Sequence, residues 1–175
     1  MDKERKEKQM KAKLMINDKE FEVEISEEQV QALTETKKKT GYERVGQEEL
    51  YYIEIDNGNT NCFSESFVNF DFEQYKCANY YSDRTLAENN ARADRLYRQL
   101  RRFAVEHRET AIDWNNDNAT KYCIALHHGR VEVGSTYYRR VFAGIYYDTK
   151  ETAQLAIDTF KDELIWYFTE YKDSL

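Results

Sequence analysis

Apolar and acidic residues alternate along Phe21-Glu22-Val23-Glu24-Ile25, the period of a strand with one face buried. The apolar run Leu14-Met15-Ile16 precedes it across Asn17-Asp18, a pair that tolerates the positive φ of a tight turn, so the two runs predict a β-hairpin. Ser26-Glu27-Glu28-Gln29 then carries the reciprocal spacing of a capping box. Val30 and Leu33 predict a short helix, ended by Lys37, Lys38 and Lys39 and closed by Gly41. Leu50 to Ile55 runs into Asp56-Asn57-Gly58-Asn59, whose Asn-Gly pair predicts a type I′ hairpin turn with a return strand from Cys62-Phe63 to Phe67. Residues 68–79, with Phe70, Phe72 and Tyr75, fit either a strand or an ordered loop.

The period changes between Ser82 and His107. Ala93, Leu96, Leu100, Phe103 and Ala104 fall on one helical stripe with Tyr97 at its edge, and Arg84, Glu88, Arg95, Arg98 and Arg102 fall opposite. No glycine interrupts this helix, and Ser82 or Thr85 is placed to cap it. After a polar loop from Asp113 to Thr120, strands are predicted over Lys121 to Leu126, Val131 to Val133 and Arg140 to Tyr147. A final helix is predicted from about Thr149 to Tyr171, with Asp148 and Glu151 repeating the capping-box spacing. Tyr80-Tyr81-Ser82 and Tyr146-Tyr147-Asp148 echo each other, each leading into a capped helix. Because short hairpins are antiparallel by geometry, the class is α+β: antiparallel hairpins or a meander packed against one long central helix and a C-terminal helix. Residues 1–10 read as a charged tail and 11–175 as a single domain, the usual size for one.

Composition supports a folded chain. Mean hydropathy is low at −0.91, but 14 Tyr, 9 Phe and 2 Trp supply rings that a disordered chain lacks. There is no proline, so turns rest on Gly, Asn and Asp. No apolar run approaches a bilayer span, the charged start lacks a secretion signal, and Cys62, Cys77 and Cys123 form no Cys-x-x-Cys pair. Free thiols in a reducing cytosol are therefore expected, and the oligomeric state stays open. The net charge of −7 is uneven: residues 14–83 hold sixteen carboxylates against six cations, whereas 84–108 hold seven arginines, no lysine and three carboxylates.

Catalytic chemistry finds no foothold. His107 is expected to cap the end of the long helix, while His127 and His128 sit in a turn. Cys123-x-x-x-His127 would supply two zinc ligands with no third or fourth nearby. Gly129 to Thr136 has the glycine spacing of a phosphate loop without its lysine. A non-enzymatic protein with no cofactor and no metal is expected. Two charged features remain as binding candidates. One is acidic: Glu20, Glu22, Glu24, Glu27, Glu28, Glu48, Glu49, Glu54 and Asp56, whose rows can imitate nucleic-acid phosphates in a partner's basic channel. The other is the arginine face Arg84, Arg95, Arg98 and Arg102, the pattern of a nucleic-acid-binding helix or of a solvated face paired with the acidic half.

Leu14-Met15-Ile16-Asn17-Asp18-Lys19-Glu20, Thr40-Gly41-Tyr42-Glu43-Arg44-Val45, Tyr146-Tyr147-Asp148-Thr149-Lys150-Glu151-Thr152-Ala153 and Asp162-Glu163-Leu164-Ile165 resemble a loose group of small accessory proteins carried by phages and mobile elements of Gram-positive bacteria. The resemblance implies a mobile-element accessory protein and no catalytic residues. Proteins of that setting include inhibitors of bacterial defence nucleases such as anti-CRISPR proteins. The expectation is thus a protein-binding inhibitor whose partner is a bacterial nuclease or nuclease–RNA complex, with a nucleic-acid-binding module as the alternative.

Overall fold

The computed structural model describes residues 9–16, 19–26, 39–137, 139–141 and 144–172. Contacts divide the chain into two units, Met1–Lys39 and Thr40–Leu175, where the sequence predicts a tail followed by a single domain from residue 11. The first unit holds the expected hairpin, β1 (Gln9–Ile16) antiparallel to β2 (Lys19–Ser26), with Ile16 opposite Lys19. β1 begins inside the predicted tail. Glu22 and Glu24 are exposed and Val23 and Ile25 half-buried, as the alternation requires. The turn at Asn17-Asp18 and the helix expected after Ser26 lie outside the described residues.

The second unit carries β3 (Leu50–Glu54), β4 (Thr60–Ser64), α1 (Asn69–Lys76), α2 (Arg84–Glu106), β5 (Lys121–His127), β6 (Arg130–Thr136), α3 (Lys150–Thr159) and α4 (Lys161–Thr169). β3 pairs with β4 and β5 with β6, both antiparallel, so the class is α+β as expected. Within residues 68–79, Asn69–Lys76 form a helix, at whose start Asp71, in the first turn of α1, accepts the backbone N–H of Val68 at 3.1 Å and of Ser66 at 3.0 Å. α2 is capped by Asp83, which accepts the Leu86 N–H at 2.7 Å, and not by Ser82 or Thr85. At its other end His107 Nδ1 donates to the Phe103 carbonyl at 3.1 Å, the expected cap.

The echo between the two tyrosine pairs has a structural basis. Tyr81 bridges to Tyr52 on β3, and Tyr147 bridges to Tyr122 on β5, each through two backbone hydrogen bonds, before the chain turns into α2 or α3. Of the strand predicted over Arg140 to Tyr147, residues 142–143 lie outside the described residues, and among the others only Tyr147 bridges. Buried Leu96, Leu100 and Phe103 of α2 meet Tyr147, Ala153, Ala156, Ile157 and Leu164 in the main core.

The predicted final helix is broken. Phe160 (φ −109, ψ 23) ends α3 and precedes α4, with its ring edge-on to Phe103 at 5.6 Å. Beyond the break Leu164 and Trp166 are buried and Phe168 packs against the core, whereas Tyr167, on the buried face of an unbroken helix, is 40% exposed. The cap is Thr149, which accepts the Thr152 N–H. Asp148 instead accepts the N–H groups of Glu109 and Thr110, both at 2.8 Å, and ties down the loop after α2.

The β3–β4 turn also departs from expectation. Gly58 donates to Ile55 O at 2.8 Å, Ile55 donates to Asn59 O at 2.9 Å, and of the turn residues only Gly58 has positive φ. This is a three-residue loop with a glycine bulge, not type I′. A Cβ at Gly58 would sit 3.0 Å from Arg95 Cβ, whereas at Gly129, with the same φ of 75°, it would meet nothing within 4 Å. Gly129→Ala is therefore expected to cost about 1–2 kcal/mol from the left-handed backbone alone. Gly58→Ala should cost measurably more, and comparison of the two urea midpoints checks the difference.

Candidate binding surfaces

Two buried carboxylates organise the segment after β4. Glu65 is fully buried and receives both arms of the Arg44 guanidinium at 3.0 Å, the Tyr80 hydroxyl at 2.8 Å and the Phe67 N–H at 2.8 Å. Asp71 is 3% exposed and receives the Tyr51 hydroxyl at 2.6 Å besides its two backbone N–H groups. Tyr51 stacks on Tyr80 at 4.1 Å, closing the network. The Arg44 guanidinium holds the Glu65 carboxyl below its ordinary range. For Asp71, burial pushes the carboxyl up but the bonds from Tyr51, Ser66 and Val68 outweigh it and hold it low. Burial and the neighbouring carboxylates push both tyrosine hydroxyls up. These groups keep one charge state near neutral pH and act as anchors.

Outside the anchors lies an aromatic surface. Phe67, Val68, Phe70, Phe72 and Tyr75 are each between 43% and 52% exposed. The Arg44 guanidinium lies 3.9 Å from the Phe72 ring centre and 4.9 Å from that of Phe67, and Phe70 packs at 5.2 Å from Phe63. Phe67 takes φ of 54°, rare for a bulky residue, and the Glu65 carboxylate that accepts its N–H holds it there. Exposed Glu48 and Glu49 flank this surface, because the backbone of both bonds to that of Glu65 at 2.9 Å; exposed Glu73 sits on α1 itself. Residues 40–83 contain nine carboxylates and two cations.

The acidic candidates separate into two groups. In the hairpin register Glu22 stands opposite Lys13, Glu24 opposite Lys11 and Glu20 opposite Met15, so lysine positions oppose two of the three. In the second unit, Glu48 and Glu49 are exposed, and Glu49 accepts the Gly46 N–H at 2.7 Å. Glu54 pairs with Arg98 at 2.8 Å, and burial pushes its carboxyl above the ordinary range. Asp56 lines a cleft with Arg95, Arg98 and Arg102.

The arginine candidates are largely engaged. Arg84 pairs with Glu88 at 2.8 Å, Arg102 with Glu106 at 3.6 Å, and Arg95 reaches the Gly58 carbonyl at 3.5 Å. Thus Glu54 and Asp56 of the acidic set meet Arg95, Arg98 and Arg102 of the basic set, and each diminishes the other as a surface.

The aromatic surface is the feature that sequence reading did not single out. Its signal was present: Phe67, Phe70, Phe72 and Tyr75 crowd a segment with no predicted partner strand. An apolar cleft of about 430 Å³ also lies among Leu96, Leu100, Ile124, Leu164 and Phe168. Tyr147 lines it, and its buried hydroxyl has no partner among the described residues. No group of three or more potential metal ligands occurs among the described residues, and no described helix is long and apolar enough to cross a membrane. No family model, curated protein or solved structure matches the chain.

Proposed function

We propose that this protein is a non-enzymatic binding protein that docks the aromatic surface of residues 67–75 against a basic surface of a protein partner. The observation that carries the reading is five half-exposed apolar side chains held by a buried, fully bonded carboxylate network and flanked by Glu48, Glu49 and Glu73. Contiguous exposed aromatic residues fit an interface core, and an acidic rim selects for a positively charged partner. The partner class we propose is a bacterial defence nuclease, alone or with its guide RNA, in the cytoplasm of the host. The protein would then inhibit by occupying the nuclease's nucleic-acid-binding surface, in the manner of phage-encoded inhibitors. The engagement of Tyr51, Tyr80, Glu65 and Asp71 in structural bonds supports a role without catalysis.

A tagged chain is expected to retain a nuclease from bacterial host lysate after the nucleic acid is digested, with binding that weakens as salt rises. Phe72→Ala and the triple change Glu48→Lys, Glu49→Lys, Glu73→Lys should each weaken binding to the purified partner by tenfold or more, the scale of an interface hot spot. Charge reversal at Glu20, Glu22 and Glu24 should matter less, because lysines already oppose two of them. Undiminished binding by the Phe72→Ala and rim variants, at unchanged melting temperature, overturns the reading.

A further inference from the structure

The seven arginines of Arg84 to Arg108 are not equivalent. Arg84, Arg92, Arg98 and Arg102 each pair with a carboxylate, and Arg95 contacts a backbone carbonyl. Arg101 and Arg108 are exposed and pair with no carboxylate among the described residues. Both line a cleft of about 210 Å³ that also receives Arg140, from the segment after β6, together with Trp114, Val105 and Ile112. Among the described residues, no carboxylate lines it.

The surroundings add charge of the same sign. Arg140 lies 5.4 Å from the Trp114 ring centre, and Lys121 Nζ lies 5.5 Å from it. Lys121 is 1% exposed, and its ammonium donates to two carbonyls, Asn116 O and Tyr137 O, both at 2.6 Å. Arg140 and Lys121 thus lie against one indole, Arg101 and Arg108 line the same cleft as that indole, and none of the four pairs with a carboxylate among the described residues, in a chain whose net charge is −7. The C-terminus of α2 accounts for a cation at Arg108, which follows it. It does not account for Arg140 or Lys121, which belong to other elements, and like charges gathered this way repel unless an anion joins them.

We propose that this cleft binds a phosphate group. Guanidinium forks take phosphate oxygens in pairs of parallel hydrogen bonds, and three arginines lining one cleft offer more donors than the two oxygens of a carboxylate use, a number suited to the several oxygens of a phosphate. The volume lies below the ~300–1,000 Å³ of sites that enclose a whole small molecule, so a phosphate or diphosphate enters and the rest of the ligand stays outside. The group comes from the backbone of single-stranded nucleic acid or from a free nucleotide. This site is separate from the proposed docking surface and uses none of its residues. It also differs from the arginine set read from sequence, whose members are internally engaged.

The test uses the full chain and a fluorescently labelled oligothymidylate, read by anisotropy at low salt, with pyrophosphate, ATP and polyglutamate as competitors. Binding is expected, and pyrophosphate should displace the oligonucleotide. The double variant Arg101→Gln, Arg140→Gln should weaken it at least tenfold and flatten the slope of log affinity against log salt by about 1. The charge-matched double variant Arg84→Gln, Arg102→Gln should leave both unchanged. Oligonucleotide binding assigns the ligand to nucleic acid; ATP binding lost in the same variant, without oligonucleotide binding, assigns it to a free nucleotide. Should the double variant fold poorly by melting temperature, Arg140→Gln alone supplies the comparison. Absence of binding by oligonucleotide, ATP and pyrophosphate, equal loss in the two double variants, or displacement by polyglutamate as effective as by pyrophosphate overturns the proposal. None of these measurements involves the docking partner, so this inference and the proposed function fail independently.

Discussion

Glu65→Leu is expected to destabilise the protein by about 3–5 kcal/mol, the range for removing one partner of a buried charge pair. The loss is not the ion pair alone. The substitution strands the Arg44 guanidinium, the Tyr80 hydroxyl and the Phe67 N–H, all of which find their acceptor in this carboxylate. Without it, nothing holds Phe67 at positive φ, and the aromatic surface beside it should lose its order as well. Melting temperature should fall by roughly 10 °C. A fall of only a degree or two would show that the network contributes little.

The same network gives acid sensitivity with a definite sign. Glu65 and Asp71 are held below their ordinary range when folded, so they ionise more readily in the folded chain than in the unfolded one. Their stabilising contribution is complete above about pH 4.5, the ordinary carboxylate range, and is lost as pH falls through the folded values. Glu43, whose carboxylate accepts the Thr40 N–H and hydroxyl, is lowered to about 2 and acts in the same direction. Stability measured by urea unfolding should therefore decline steadily from pH 5 towards pH 2, and more shallowly in the Glu65→Leu protein.

Leu164→Ala is the second large effect, about 2–3 kcal/mol and so near the lower end for a buried leucine. Leu164 is 2% exposed in the main core, but it also lines the apolar cleft beside Tyr147, which leaves its neighbours room to relax. Ile165→Ala, one residue on and 41% exposed, should stay within about 0.5 kcal/mol. Thermal unfolding of the two variants tests the helix register set by the break at Phe160. Equal losses would mean that α4 presents a different face to the core.

How far the chain could be read without its fold depends on the range of the interaction that decides each element. α2 was legible because its apolar stripe repeats over many turns, and the hairpins were legible from alternation and turn residues. Local competition was harder to resolve. Asp83 and Thr149, not their neighbours, take the caps, because several capping residues stand side by side and one residue of chain direction selects among them. Phe70 and Phe72 look like a strand by their period of two, yet Asp71 between them starts a helix.

The charged candidates show the same division more sharply. The sequence by itself determined the α+β class, the amphipathic central helix, the two tyrosine-led helix entries and the uneven charge along the chain. Those are properties of periodicity and local chemistry, which need no distant partner. Only the tertiary structure decided which charges remain available. Glu54 meets Arg98 across 44 positions of sequence, and Arg92 meets Glu163 across 71. Arg101, Arg108 and Arg140 line one cleft with no carboxylate among its described residues. An ion pair forms wherever packing places opposite charges within about 4 Å, and no local pattern records that distance.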